Sequence, residues 1–315
     1  MRLLWFFTAH TSKSLLAEQY DESGFGHTVQ TLVVREALEH PFLMKTLFVI
    51  AGLHMQHLRQ PIDAKTIDIY RAESLRGYRD AIHSARPAAF PAMLANSVLI
   101  AASSCGNLRD RTSPDLFILD WLVLWRGIRC INALFEGASA QLSGGIETLL
   151  VRPIMDMEDV ASYIPLRLQS MLSTVEPGDQ DIPNIGTYWE ALLCLGALYK
   201  SLSQGDQSST ALMTVTWITY LPEGFIQAAR NRMPRPLVIL AYYCAFFKIL
   251  RNMWWIEGAA DRCIRDIYAC LGSSWRHEIE IPLLVAASST DVEASSLLLS
   301  ELSELSCGVS RVLEY

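Results

Sequence analysis

Trp254 and Trp255 stand side by side after a long apolar run, with Glu257 close behind them. Each indole carries a large apolar face and one N–H, which suits the wall of a cavity for a polycyclic or polyprenyl ligand with one polar end. Core packing with the N–H groups bonded to backbone is the plainer reading of the same pair. Adjacent positions on a helix point about 100° apart, so the two are not expected to face one cavity. Asp120, Trp121, Trp125 and Arg126 form a second group. Trp121 and Trp125 share a face at i,i+4, while the Arg126 guanidinium suits either a ligand carboxylate or carbonyl, or an internal salt bridge to Glu136 or Glu257. Phe247, Tyr243, Met93 and Met253 complete the expected ligand-binding set with Trp121, Trp125, Trp254 and Trp255, although methionine at helical spacing also fills cores.

His54 and His57 are three apart and share a helix face. Zinc would require further ligands such as His83 or Asp63, and none stands at ligand spacing, so neither a metal site nor a cofactor is expected. The sequence contains no GxSxG, HExxH, paired-carboxylate or Cys/His nucleophile pattern, which disfavours hydrolase and metalloprotease chemistry. An enzyme reading therefore narrows to a cyclase or isomerase that needs no cofactor, holding a reactive conformer while one group polarises a bond. Glu257, Asp120, Arg126, His54 and Tyr188 are the candidate catalytic residues for that chemistry.

These residues sit in a chain of 315 residues with 51% hydrophobic and 19% charged positions, enough to bury a large core. The longest uninterrupted apolar run, Leu237 to Phe247, has 11 residues, whereas a membrane-spanning helix needs about 20. The N-terminal apolar patch, Leu3 to Phe7, is too short for a signal-peptide core. Seven cysteines without a CxxC pair look like small core residues in a reducing compartment. The expectation is an intracellular protein, cytoplasmic or nuclear, and not an integral membrane protein. A formal net charge of −7 argues against direct nucleic-acid binding. The one tight basic group, Arg230, Arg232 and Arg235, reads as a solvated loop.

Helical periodicity recurs from end to end, and no stretch alternates as a strand would. Pro41 marks the first position of a buried helix that stops at Pro61, followed by a polar helix from about Ala64 to Arg86. Ser113 as N-cap and Pro114 at N1 predict a helix reaching Gly137. The segment "GASAQLSGG", Gly137 to Gly145, is the hinge or lid candidate. Further helices are expected over Met155 to Ser173 and Thr187 to Ser203, with "VEPGDQDIPN" and "SQGDQSS" as loops. From Ile256 to Leu271 the apolar residues fall on one face, with Asp261–Arg265 and Arg262–Asp266 pairs on the other, and Gly272 ends the helix. A helix apolar all round beside an amphipathic one implies a single multilayer all-α domain over 1–287, with 288–315 as a loosely docked helix or tail.

Several segments together resemble the C-terminal regulatory domain of fungal zinc-cluster transcription factors of the sterol uptake control type. They are "LLWFFTAHTS" at 3–12, "EHPFLMKTLFVIAGLHMQHL" at 39–58, "LVLWRGIRCI" at 122–131, "PRPLVILAYYCAFFKIL" at 234–250 and "WWIEGAADRCIRDIYACLGSSWRHEIEIP" at 254–282. The resemblance implies an all-helical fold with an internal apolar pocket that in sterol-sensing members receives a sterol. The family's cysteine-rich zinc cluster is not present in this sequence, so this chain is not expected to read DNA by that means. Two readings follow. In the first, the chain is a transcription-factor-like domain binding a lipophilic small molecule such as a sterol, terpenoid or polyketide, with a homodimer as an open alternative. In the second, the pocket has been repurposed as an enzyme of fungal secondary metabolism that cyclises or isomerises an apolar substrate.

Overall fold

The computed structural model describes residues 1–15, 25–110, 112–134, 149, 159–176, 178–250 and 253–309. Among the described residues every regular element is a helix and none is a strand, the all-α class expected from the periodicity. The hinge candidate at 137–145, Glu136 and residues 155–158 of an expected helix lie outside the described residues. The chain groups into two compact units. One comprises Met1–Asn107, Trp121–Val151 and Asn252–Ile256, and the other Leu108–Asp120, Arg152–Arg251 and Glu257–Tyr315.

The first unit is organised by two antiparallel helices. Pro41–His57 begins with Pro41 at its first position, as the sequence predicts. Ala64–Ser84 is capped by the Asp63 carboxylate, which accepts from the Lys65 and Thr66 N–H groups, and closes at Ala85 in a left-handed conformation. The pair approaches closely because glycine stands at both ends of the seam. A Cβ on Gly52 would lie 2.8 Å from Ile67 Cγ1, and one on Gly77 would lie 3.0 Å from the Phe42 Cβ. A third helix, Phe90–Ser104, buries most of its length. Thr46 Oγ1 donates to Asn96 Oδ1 at 2.7 Å and is bonded to Ser74, so one buried polar cluster ties the three helices together. The stretch Pro87–Leu108 is long and apolar enough to cross a membrane by length and composition, but 72% of its most apolar window is buried inside the protein. It is a core helix, its apolar character interrupted in sequence by serine, asparagine and proline.

The N-terminal segment of this unit contains a wide-turn π-helix, Phe7–Thr11, and a second lies at Val29–Val33. Gln30 Nε2, from the second, donates to the Thr8 carbonyl in the first at 3.1 Å. Such segments widen the helix by one residue and leave main-chain groups in need of partners.

In the second unit the organising element is Pro234–Ala245, buried from Arg235 through Ala245. Arg235 therefore leaves the solvated loop that the sequence suggested. Its guanidinium Nη1 reaches Asp179 at 2.8 Å and Asp181 at 2.6 Å, and its Nε donates to the Met171 carbonyl at 3.2 Å. Asp181 also accepts from the Tyr188 hydroxyl at 2.7 Å. A buried cation is tolerable only with such partners, and the acidic loop "GDQDIP" supplies them. Around this helix pack Ile185–Ser203, Ala259–Cys270 and Asp291–Val309, the last burying Ala294, Leu298 and Glu301. Gly196 in Ile185–Ser203 lets the Val160 carbonyl approach: a Cβ there would lie 2.5 Å from that oxygen.

Four boundaries differ from expectation. Among the described residues, the helix expected over Met155 to Ser173 is α-helical only from Leu166, after Pro165 and the 3-10 turn Val160–Tyr163. The apolar run continues past Ala245 as a tighter 3-10 turn, Phe246–Ile249. The amphipathic helix starts at Ala259 rather than Ile256, because Gly258 adopts a left-handed φ of 77° that breaks the helix before it. The helix expected from Ser113 starts at Phe117, after Leu116 with φ of 57°. The loop before it is held by a tertiary clamp. Arg262 pairs with Asp266 at 3.1 Å and donates to the Ser113 carbonyl at 2.9 Å and to the Asp110 carbonyl, while Asp266 accepts from the Leu116 N–H at 3.3 Å. The Arg262–Asp266 pair, legible as a surface i,i+4 pair, is thus a long-range fastener. Asp261 reaches Lys248 at 2.9 Å instead of the expected Arg265.

Two substitutions test this account. Asp181→Ala leaves Arg235 and the Tyr188 hydroxyl short of a buried partner and is expected to cost about 3–5 kcal/mol in denaturant unfolding. Gly196→Ala forces the helix away from the Val160 carbonyl and is expected to cost about 1–3 kcal/mol, whereas Gly186→Ala, whose added Cβ meets nothing within 4 Å, is expected to be tolerated.

Candidate functional site

The second unit carries an aromatic interior along Pro234–Ala245. The helix is buried on all sides, so successive residues Tyr242 and Tyr243 project into different parts of the same core. Tyr243 stacks on Trp217 with centroids 4.1 Å apart and planes at 15°. Phe247 meets Tyr243 edge-on at 5.0 Å, and Phe225 meets Trp217 edge-on at 6.0 Å. Tyr188 closes the series against Phe225 at 6.4 Å, and through Asp181 it joins this aromatic row to the Arg235 ion network. Tyr243 donates to the Thr214 carbonyl at 2.8 Å. Trp217 is different: its indole N–H is buried and has no hydrogen-bond partner.

On the other side of the helix Tyr242 donates to Glu301 Oε2 at 3.3 Å. Tyr199 meets Phe246 edge-on at 5.2 Å, and its buried hydroxyl also lacks a partner. Burial, followed by the neighbouring Tyr242 and Glu301, holds the Tyr199 hydroxyl well above the usual tyrosine range, and burial followed by Glu301 raises Tyr242. Both remain protonated donors at neutral pH. Burial and the Asp181 contact likewise raise Tyr188, which removes it from easy general-base service. These rings are packed against one another, and the cavity seen among the described residues is not here but a groove beside the N-terminal segment.

Of the residues expected to bind ligand, Tyr243 and Phe247 belong to this series. Trp121, Trp125, Met93, Met253, Trp254 and Trp255 are buried in the first unit. There Trp121 donates to the Ala101 carbonyl at 3.0 Å and meets Trp125 edge-on at 5.7 Å, and the buried Trp125 N–H has no partner. Trp254 and Trp255 occupy a turn rather than a helix, and both are core. Trp254 donates to Ser14 Oγ at 3.1 Å and Trp255 to the Leu15 carbonyl at 2.7 Å. Sequence reasoning missed Trp217, Tyr199, Tyr242 and Glu301. No local pattern marks them, since ring stacking and an unpaired N–H are properties of the folded neighbourhood.

Of the expected catalytic residues, Asp120, Tyr188 and His54 hold separate partners. Asp120 pairs with Arg230 at 2.6 Å, and Arg109 donates to the backbone carbonyl of the exposed Glu257 at 3.0 Å. Arg126 is half-buried on Phe117–Leu134. His54 is buried beneath the N-terminal segment. Its ring stacks on Trp254 with centroids 4.6 Å apart and planes at 11°, its Nδ1 is 3.0 Å from Thr11 Oγ1, and Phe6 stands edge-on at 5.5 Å. His57 lies 5.9 Å from Trp254 on the other flank. Nearby, a groove of about 470 Å³ is lined by Met1, Arg2, Leu4, Trp5, Thr8 and Val34.

Burial, then the charges of His57 and His10, lower the His54 pKa to about 4. The neutral ring is the native form, so the unfolded chain binds the extra proton first as pH falls. The stability that His54 contributes is complete above about pH 6.5 and is lost as pH falls towards 4. Thermal unfolding followed over that range should show this loss in the natural chain and a flatter profile in His54→Gln.

No family model matches the chain. Over 87 residues it is 26% identical to a Gibberella zeae protein described as a Zn(2)-C6 fungal-type transcription factor, a stretch covering 27% of this chain and 18% of that protein. The zinc in that description needs a cluster of thiolate ligands. Among the described residues no three His, Cys, Asp or Glu side chains gather as ligands, so this part of the chain does not fit such a metal centre. The chain is thus similar, over about a quarter of its length, to a fungal transcription factor.

Proposed function

We propose that the chain is a transcription-factor-like regulatory region that binds a lipophilic small molecule and acts in the nucleus or cytoplasm. The similarity to a fungal transcription factor supports the regulatory part of this reading. One observation supports the ligand part: two buried donors, Trp217 Nε1 and the Tyr199 hydroxyl, stand without partners on the two sides of a helix packed largely against aromatic and aliphatic side chains. Each unmet buried donor costs about 1–3 kcal/mol. A sterol, terpenoid or polyketide that brings an oxygen acceptor among those rings would meet that cost while burying its own apolar surface. The all-helical fold and the net charge of −7 fit a sensing rather than a DNA-reading role. The committed partners of Asp120, Tyr188 and His54 give a cyclase or isomerase no assembled acid–base pair.

The purified chain incubated with a lipophilic extract of its host, re-isolated and analysed by mass spectrometry, is expected to retain an unchanged apolar molecule. Recovery of a converted product would point to the enzyme instead, and no enrichment over the heat-unfolded chain would remove the ligand. Tyr199→Phe tests the polar contact. Deleting an unpaired hydroxyl is expected to leave the ligand-free protein as stable or more stable by about 1 kcal/mol. The same change should weaken binding of the recovered molecule roughly five- to tenfold. A loss of ligand-free stability above about 1 kcal/mol would show that the hydroxyl already has an internal partner.

A further inference from the structure

Ser113 and Pro114 read as a helix start, yet the helix begins later, at Phe117. Among the described residues the Ser113 hydroxyl has no hydrogen-bond partner. The segment is held by its backbone instead. Arg262 Nη2 donates to the Ser113 carbonyl at 2.9 Å and Nη1 to the Asp110 carbonyl, while Asp266, 3.1 Å from Arg262, accepts from the Leu116 N–H at 3.3 Å. Ser113 is half-buried, and Thr112, Pro114 and Asp115 are exposed. Of the 13 prolines in the chain only Pro114 follows a serine or threonine, so an enzyme that reads that pair finds one target. Proline has no N–H to satisfy and biases the residue before it towards the extended backbone in which a kinase binds its substrate. We propose that Ser113 is the target of a proline-directed protein kinase and that its phosphate releases the segment Asp110–Leu116 from the helix Ala259–Cys270.

In the transfer the Ser113 oxygen bonds to the γ-phosphorus of ATP as the bond to ADP breaks, and the hydroxyl proton passes to the kinase's catalytic carboxylate. The phosphate brings a charge of about −1.5 to −2 and three acceptor oxygens. It arrives on the residue whose carbonyl Arg262 already touches. A guanidinium bonds a phosphate more strongly than two neutral carbonyls, so Arg262 turns to the new group and lets the Asp110 and Ser113 carbonyls go. Asp115 and Asp266 then face a like charge, and the pair that holds Asp266 against the Leu116 N–H weakens. The Arg262 and Asp266 side chains are only 11% and 14% exposed, so salt screens this competition little. The release does not depend on ligand binding, since it concerns the loop before Phe117 and not the aromatic interior.

The test uses the full chain, ATP and proline-directed kinases of the cyclin-dependent and mitogen-activated classes. The intact mass is expected to rise by one phosphate, mapped to Ser113. Ser113→Ala loses only an unbonded hydroxyl and should take up none. Amide exchange at Leu116 is expected to be roughly tenfold faster or more in the phosphorylated chain, as it should be in unmodified Arg262→Gln. If Arg262→Gln does not fold, the phosphorylated natural chain decides alone. Failure of the folded chain to take up phosphate at Ser113 overturns the site. Uptake that leaves Leu116 exchange unchanged or slower overturns the release.

Discussion

A buried cation is the constraint on which the second unit depends. Arg235 enters the core because it stands at the start of a helix with no exposed side, and such a helix cannot turn one residue outwards without lifting its neighbours. Taking a guanidinium out of water is costly, so the loop carrying Asp179 and Asp181 must fold over the helix end. That loop in turn supplies the acceptor for Tyr188, and Tyr188 begins the row of rings through Phe225, Trp217 and Tyr243 to Phe247. Charge compensation at one end of the helix and ring packing along its flank are parts of one solution.

Bonded and unbonded buried polar groups occur in both units. Trp121, Trp254, Trp255 and Tyr243 each hand a hydrogen to an oxygen of the fold. Thr46, Ser74 and Asn96 meet in a cluster that fixes the register of three helices, although the Asn96 side-chain amide nitrogen has no acceptor, and neither has the Trp125 N–H. In the second unit the Trp217 N–H and the Tyr199 hydroxyl stand without partners near the most buried helix. A buried donor left unbonded is costly, so these positions are where a bound acceptor would gain most.

Helix identity was largely legible in the sequence, and tertiary assignment was not. Pro41, the apolar spacing after it and the polar helix expected from about Ala64 mark elements that the structure reproduces to within a few residues, the second capped by Asp63, a cap not expected from the sequence. The start at Phe117 was missed because the preceding turn obeys Arg262 and Asp266, about 150 positions away, rather than the local Ser-Pro signal. Trp254 and Trp255 invited a pocket reading because their size and polarity suit one. What decides their role is Ser14 and Leu15, and no periodicity links residues so far apart. The burial of Tyr243 and Phe247 follows from the unbroken apolar run Leu237 to Phe247 that carries both. Trp217 was overlooked because its stacking partner lies on a different helix.

The bonds from Trp254 and Trp255 to Ser14 and Leu15 span 240 positions of sequence. The first unit also takes in Asn252–Ile256. Its core is thus closed by contacts of very high sequence separation, whose loop must be drawn together before any stabilising contact is made. Ring stacking of Trp254 on His54 and the two indole bonds are therefore late-forming contacts, and the segment around Ser14 and Leu15 keeps its place only once a distant turn has docked on it.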